Sequence, residues 1–311
     1  MPKSLIPALL AGLLASGLFL AVFGAGLGFM FMFLPALPLF FLALSAHATA
    51  DKYIVPIALA VATFIIGLAG GPASGALFLI FLGLPCWYFA KKSLLHLPAA
   101  PGMPMFWYPL GLIVLNLTLW ACALVAMMVW YYSDLPGGMP QLLAQNIRDA
   151  FSDLKGEYGD VVENMATGWS FLIFPITIWL WGMLLYAHAW IANRALARGH
   201  KQLRPGMEVA PFIIPGWMLT LLAICALATL IGGPSMSFLG KSSLLSLLLP
   251  YFFLGASLMH RYFRKWPSSR FFLFFVYFLI FTQFWPFLIL AGIGLWHQIK
   301  YLLAAGGWSR S

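Results

Sequence analysis

The residues of this chain that offer chemistry inside a bilayer are few and uncharged. The stretch FMFLPALPLFFLAL, Phe31 to Leu44, places Pro35 and Pro38 in a run apolar enough for lipid. A proline lacks the N–H that would bond the carbonyl four residues earlier, so Pro35 frees Phe31 and Pro38 frees Leu34. In hydrocarbon such a carbonyl must find water or a polar neighbour. Two readings follow: a kink packed on protein, or a broken helix lining a substrate cavity, as discontinuous helices do in transporters. Asn116 and Thr118, inside the apolar stretch 106–132, join Pro35 and Pro38 as candidate cavity-lining residues. Ser16, Thr63, Thr177, Thr220, Ser246 and Ser257 read as glue between helices, worth ~0.6 to 2 kcal/mol each.

Other chemistries find little support. The apolar segments carry essentially no charge, which disfavours an ion-coupled pump. His47, His96, His188, His200, His260 and His297 are scattered near segment ends without an HExxH pair, and neither a Walker loop nor a G-x-S-x-G serine occurs. Cys86, Cys122 and Cys225 fall in different apolar stretches with neither metal nor disulfide spacing. No catalytic constellation is recognised, and no metal or cofactor is implied.

The elements that must position these residues are membrane helices. Of 311 residues, 63% are hydrophobic and 8% charged, against about a quarter charged in soluble domains. A span needs ~20 apolar residues. Apolar segments occupy 4–24, 27–46, 53–70, 73–90, 106–132, 169–192, 210–231, 242–260 and 271–305. The first is read as a retained span rather than a signal peptide, because a second apolar run follows at once. Gly24, Gly26 and Gly28, then Gly70-Gly71-Pro72, then Gly232-Gly233-Pro234 mark tight turns. The last tract would be ~52 Å long as one helix, so it is expected to turn at TQFWP, Thr282 to Pro286. The fold expected is all-α, a polytopic transmembrane bundle of ten membrane helices, or nine without that turn. It forms a single integral membrane domain over 1–311.

Lysine and arginine set the orientation. With the N-terminus in the cytoplasm, the inside loops hold Lys3, Lys52, Lys91, Lys92, Arg194, Arg198, Lys201, Arg204, Arg261, Arg264, Lys265, Arg270, Lys300 and Arg310, leaving Arg148, Lys155 and Lys241 outside. The net charge of +9 is thus a membrane-orientation signal, not a nucleic-acid footprint. A hydrophilic insert at about 133–168 lies outside in this topology. Its stripe Leu143, Ile147, Phe151, Leu154, Tyr158, Val162 and Met165 predicts a helix lying on the membrane or bundle, or a lid, broken at Gly156 and Gly159. On the first span, Ala8, Ala11, Gly12, Ala15 and Ser16 form a ridge of small residues, suited to packing inside the bundle or to docking a separate membrane partner.

Three stretches, LPALPLFFLALSA, GLPCWYFAKKSLL and NRALARGHKQLRPGMEVAPFIIPGWM, together resemble the YybS-like family of bacterial inner-membrane proteins. The third is the most specific, with Asn193 at a span end, then Arg204-Pro205, then Pro215-Gly216-Trp217 opening the next span. The chain departs from the family at SAHATADKY, where members carry a small, Gly-rich stretch. In layout the family is similar to the substrate-binding subunits of energy-coupling-factor vitamin transporters and to the morphogenesis protein MreD. The resemblance implies a multi-pass protein of the bacterial inner membrane. The expectation is a transport-related subunit without its own ATPase. It would bind a small, largely neutral or apolar molecule among the first six spans and act with a membrane protein partner. The alternative is a non-catalytic scaffold of an envelope or morphogenesis complex.

Overall fold

The computed structural model of the protein describes residues 5–25, 34–97, 105–199, 201, 203–204, 212–266, 268–283 and 285–304. These residues form an all-α, polytopic helix bundle whose one sheet is a two-stranded hairpin. Among them, six helical stretches are long and apolar enough to cross a membrane: Leu5–Val22, Pro72–Ser93, Leu110–Tyr131, Ser170–Arg198, Pro234–Phe263 and Pro286–Ala304. Ile54–Gly70, Trp217–Ile231 and Arg270–Ile280 are shorter apolar helices. Large apolar side chains such as Trp130 and Ile231 stay about four-fifths exposed, as lipid-facing residues do. The protein is therefore a multi-pass membrane protein. Its contacts gather into two compact units, residues 1–113 with 183–210, and 114–182 with 211–311.

The first unit contains α1 (Leu5–Ala25), α2 (Ala36–Ala43), α3 (Ala46–Ala50), α4 (Ile54–Gly70), α5 (Pro72–Phe78) and α6 (Leu84–Ser93). The small-residue ridge of α1 is buried within it, and a Cβ on Gly12 would lie 2.7 Å from the Ala58 carbonyl oxygen. Backbones that approach this closely gain dispersion contact along their length. One turn of chain at Gly71 (φ 84°) folds α5 back along α4, with Gly75 against the Thr63 carbonyl. Phe19 then meets Phe78 edge-on at 5.4 Å. Both contacts fit together when α1 and α4 run parallel.

Within the 27–46 segment the prolines stand at a helix start. α2 starts after Pro35, and Pro38 is its third residue. The Leu34 carbonyl is not free, because it accepts the Leu37 N–H at 2.9 Å. First-turn N–H groups have no helical partner in any case, and both prolines sit at the opening of α2. Phe31, Gly26 and Gly28 lie outside the described residues. Further on, Pro85 cannot donate to Phe81, and the chain answers with a wide π turn, Leu79–Gly83, in which the Leu84 N–H reaches the Leu79 carbonyl.

The second unit takes in most of α7 (Leu110–Tyr131), then α8 (Gly138–Ala150), α9 (Lys155–Gly168), the start of α10 (Ile173–Arg198), α11 (Trp217–Ile231), α12 (Pro234–Ser246), α13 (Leu248–Phe263), α14 (Ser269–Gln283) and α15 (Pro286–Ala304). Ser242 donates to the Phe171 carbonyl at 3.0 Å and Trp179 to the Leu245 carbonyl at 2.9 Å, which sets α10 parallel to α12. Phe287 stacks on Trp179 at 3.8 Å and on Phe252 at 4.3 Å. Gln298 donates to the Ile214 and Pro215 carbonyls just before α11. α15 therefore runs parallel to α13, crossing it where Gly255 meets Leu290 and Gly294 meets Tyr251. α14 runs the opposite way, with His260 and Tyr277 sharing a hydrogen bond and Phe263 stacked on Phe272. α14 ends at Gln283 and α15 begins at Pro286, so the helix stops where TQFWP was expected to turn.

Three expectations are corrected. The 242–260 segment begins earlier, because Pro234 opens a helical stretch to Phe263 and Lys241 lies inside it, its ammonium 5.6 Å from the Phe171 ring. Serines permit this by bonding carbonyls, as Ser246 does to Ser242. The hydrophilic insert breaks once where it was expected to, between Gly156 and Gly159, and once earlier. Phe151 leaves helical geometry (φ −112°, ψ 24°) and ends α8, Tyr158 leaves it again (φ −121°, ψ 27°) between the two glycines, and Arg148 grips Glu163 through two bonds of 2.9 and 2.7 Å. That carboxylate holds the Arg148 pKa above its ordinary value. Third, Ser16 and Thr177 bond carbonyls of their own helices rather than neighbouring ones.

Two outcomes test this arrangement. In a cysteine-free background, cysteines at Ala304 and Lys265 should react from the same side of the membrane, with one at Ser235 reacting from the other. Gly255→Leu should lower the melting temperature, since overpacking costs ~1–3 kcal/mol or more. Gly292→Ala should not, because nothing lies within 4 Å of a Cβ there.

Candidate functional site

In the first unit, the ends of α2, α3, α4 and α6 surround a cavity of about 220 Å³ lined by Ala43, Ala48, Lys52, Val55, Trp87 and Lys91 among others. Ser45 bends the chain from α2 into α3, its hydroxyl donating to the Leu42 carbonyl at 2.7 Å. The Asp51 carboxylate accepts the Tyr53 N–H at 3.0 Å and shapes the turn that presents Lys52. Lys91 and Lys92 occupy the last turn of α6, where the helix dipole favours cations. The Lys91 ammonium sits 5.3 Å from the centre of the Trp87 ring, one turn back. The lining contains two cations and no carboxylate. Such a cavity can hold an anionic group by charge and an aromatic or apolar body against Trp87. It has no nucleophile paired with a base. Among the described residues no cluster of His, Cys, Asp or Glu suits a metal ion.

A buried arginine fixes this end of α6. Arg204 is 4% exposed. Its Nη1 donates to the Ser93 carbonyl at 2.8 Å and the Tyr108 carbonyl at 3.3 Å, and its guanidinium lies 5.6 Å from the Trp107 ring. Trp107 belongs to β2 (Phe106–Trp107), paired antiparallel with β1 (His96–Leu97). Arg204 thereby joins the last turn of α6 to the approach of α7. Burial pushes its pKa below the ordinary arginine value, with Tyr186 opposing, while its Nε has no partner among the described residues.

The residues singled out in the sequence are placed as follows. Pro35 is buried and Pro38 half-buried at the start of α2, the helix whose end lines the cavity, but neither is among the residues around it. Asn116 is exposed on α7, whereas Thr118 is fully buried and donates to the Val114 carbonyl at 2.9 Å. These two belong to the second unit and the prolines to the first. Ala8, Ala11, Gly12, Ala15 and Ser16 all face the interior of the first unit. Asn193 is buried inside α10, which continues to Arg198. Sequence reasoning used Lys52 and Lys91 as orientation signals and missed them as cavity residues. The Trp87 and Lys91 spacing of four, one helical turn, was the available signal. No family model, curated protein or solved structure matches this chain.

Arg204→Ala should leave two carbonyls without their donor and cost ~1–3 kcal/mol. The expected readout is a lower melting temperature together with faster labelling of a cysteine at Leu95.

Proposed function

We propose that this is a bacterial inner-membrane protein, YybS-like in character, whose first unit binds a small solute. It contains no Walker loop, so in active transport it would act as a binding subunit beside a separate ATPase partner. The observation that carries this reading is the cavity lined by Lys52, Trp87 and Lys91. Two ammonium groups without a carboxylate in the lining favour a solute bearing negative charge, in place of the neutral molecule expected from the sequence. By the positive-inside rule the cavity lies at the cytoplasmic end of the unit. The competing reading is a scaffold of an envelope complex. What favours it is the α8–α9 hairpin, which exposes Tyr158 and Val161 at 49% and 53%.

Melting curves of the purified protein with inorganic phosphate, small dicarboxylates and neutral sugars test the two. A charged probe should stabilise the wild type, and Lys52→Gln with Lys91→Gln should abolish that shift. If no anion stabilises the protein and deletion of 138–168 alone removes its cellular role, the scaffold reading replaces the binder.

A further inference from the structure

A second site lies in the other unit and is independent of the solute reading. Between α13, α14 and α15 runs a groove of about 560 Å³ whose walls are almost wholly apolar. Below the crossing of α13 and α15 it is lined by Leu258, Met259, Tyr262 and Phe263, and above it by Trp285 and Ile289. Val276 and Leu279 of α14 form its outer wall. The Tyr262 end is framed by aromatic rings: Phe263 and Phe272 stack at 5.7 Å, and Trp266 stands edge-on to both at 5.5 and 5.4 Å. That frame holds the loop between α13 and α14, which with its flanking residues carries exposed Arg261, Arg264, Lys265 and Arg270.

These cations have no acidic partner available from their own part of the chain, since residues 211–311 contain neither Asp nor Glu. An orientation signal requires basic residues, but not an apolar slot opening beside them. The combination matches one molecule: an acyl chain for the groove and a negatively charged headgroup for its basic mouth. We propose that this groove is a binding site for one anionic phospholipid drawn from the bilayer. Its tail lies along α14, and its phosphate is held by the Arg261, Arg264, Lys265 and Arg270 cluster. The lipid would fill the space between α14 and the α13–α15 pair, and so tie a sparsely packed helix to the unit.

The test is native mass spectrometry of the full chain from detergent containing equal phosphatidylglycerol and phosphatidylcholine, with melting temperatures measured in parallel. The wild type should retain one phosphatidylglycerol per chain and melt higher with it than with phosphatidylcholine. Replacing Arg261, Arg264, Lys265 and Arg270 by Gln should reduce that retention by about tenfold or more. Ile289→Trp, and separately Val276→Phe, keep every charge but fill the groove, and should also lose the lipid. Their melting temperatures without added lipid report whether each is folded, and either folded variant suffices. Equal retention of the two lipids overturns the proposal. So does retention unchanged in a folded groove-filled variant, which would reduce the effect to surface charge. A lipid-free dimer would give the groove to a second copy of the chain and overturn it as well.

Discussion

In a bilayer, apolar side chains gain little by leaving lipid for protein, so helices associate through close fit and shared hydrogen bonds. The fold of this protein depends on that constraint. In the first unit, Gly12 of α1 lies against the Ala58 carbonyl and Gly75 of α5 against the Thr63 carbonyl. In the second, Gly255 and Gly294 bring the backbones of α13 and α15 into contact. At each point a missing side chain lets two main chains touch. The large residues then fill what remains, as Phe287 does between Trp179 and Phe252.

Hydrogen bonds between helices are few and specific. Trp179 and Ser242 each donate to a carbonyl of another element, and Gln298 donates to two just ahead of α11. The carbonyls of Ile214 and Pro215 lie outside regular helix, where a carbonyl in an apolar surround needs a donor; that of Pro215 also accepts the Met218 N–H at 3.2 Å. Arg204 serves the same need at the ends of α6 and α7. Charge is kept to the ends of the helices, with Lys241 the exception inside a long apolar stretch. That division leaves basic groups beside both cavities, one compact and polar-edged, the other long and apolar.

Composition and local punctuation made much of this legible. An apolar content of 63% requires lipid as solvent. The Gly70-Gly71-Pro72 and Gly232-Gly233-Pro234 turns and the break at TQFWP follow from backbone rules that act over a few residues, and the helices end or begin at each of them. The serine-rich start of α12 misled, because serine reads as loop unless a carbonyl is within reach, and that carbonyl is set by packing. In the insert the glycines announced the break at Tyr158, but not the earlier one at Phe151, because an apolar period can continue across a break.

By itself, then, the sequence determined the solvent, the approximate place of many helices and several of their turns. Tertiary structure alone decided which faces meet. A soluble helix announces its buried face by contrast with a polar one, whereas here lipid-facing and protein-facing residues are equally apolar and the contrast is missing. Pro35 and Pro38 could be seen as helix breakers, but not that they begin α2. Lys52 and Lys91 could be counted as positive charge, but their shared cavity arises from the packing of α2, α3, α4 and α6. Arg204 belonged to a basic loop in the sequence, and its burial against Trp107 required two distant segments to fold together.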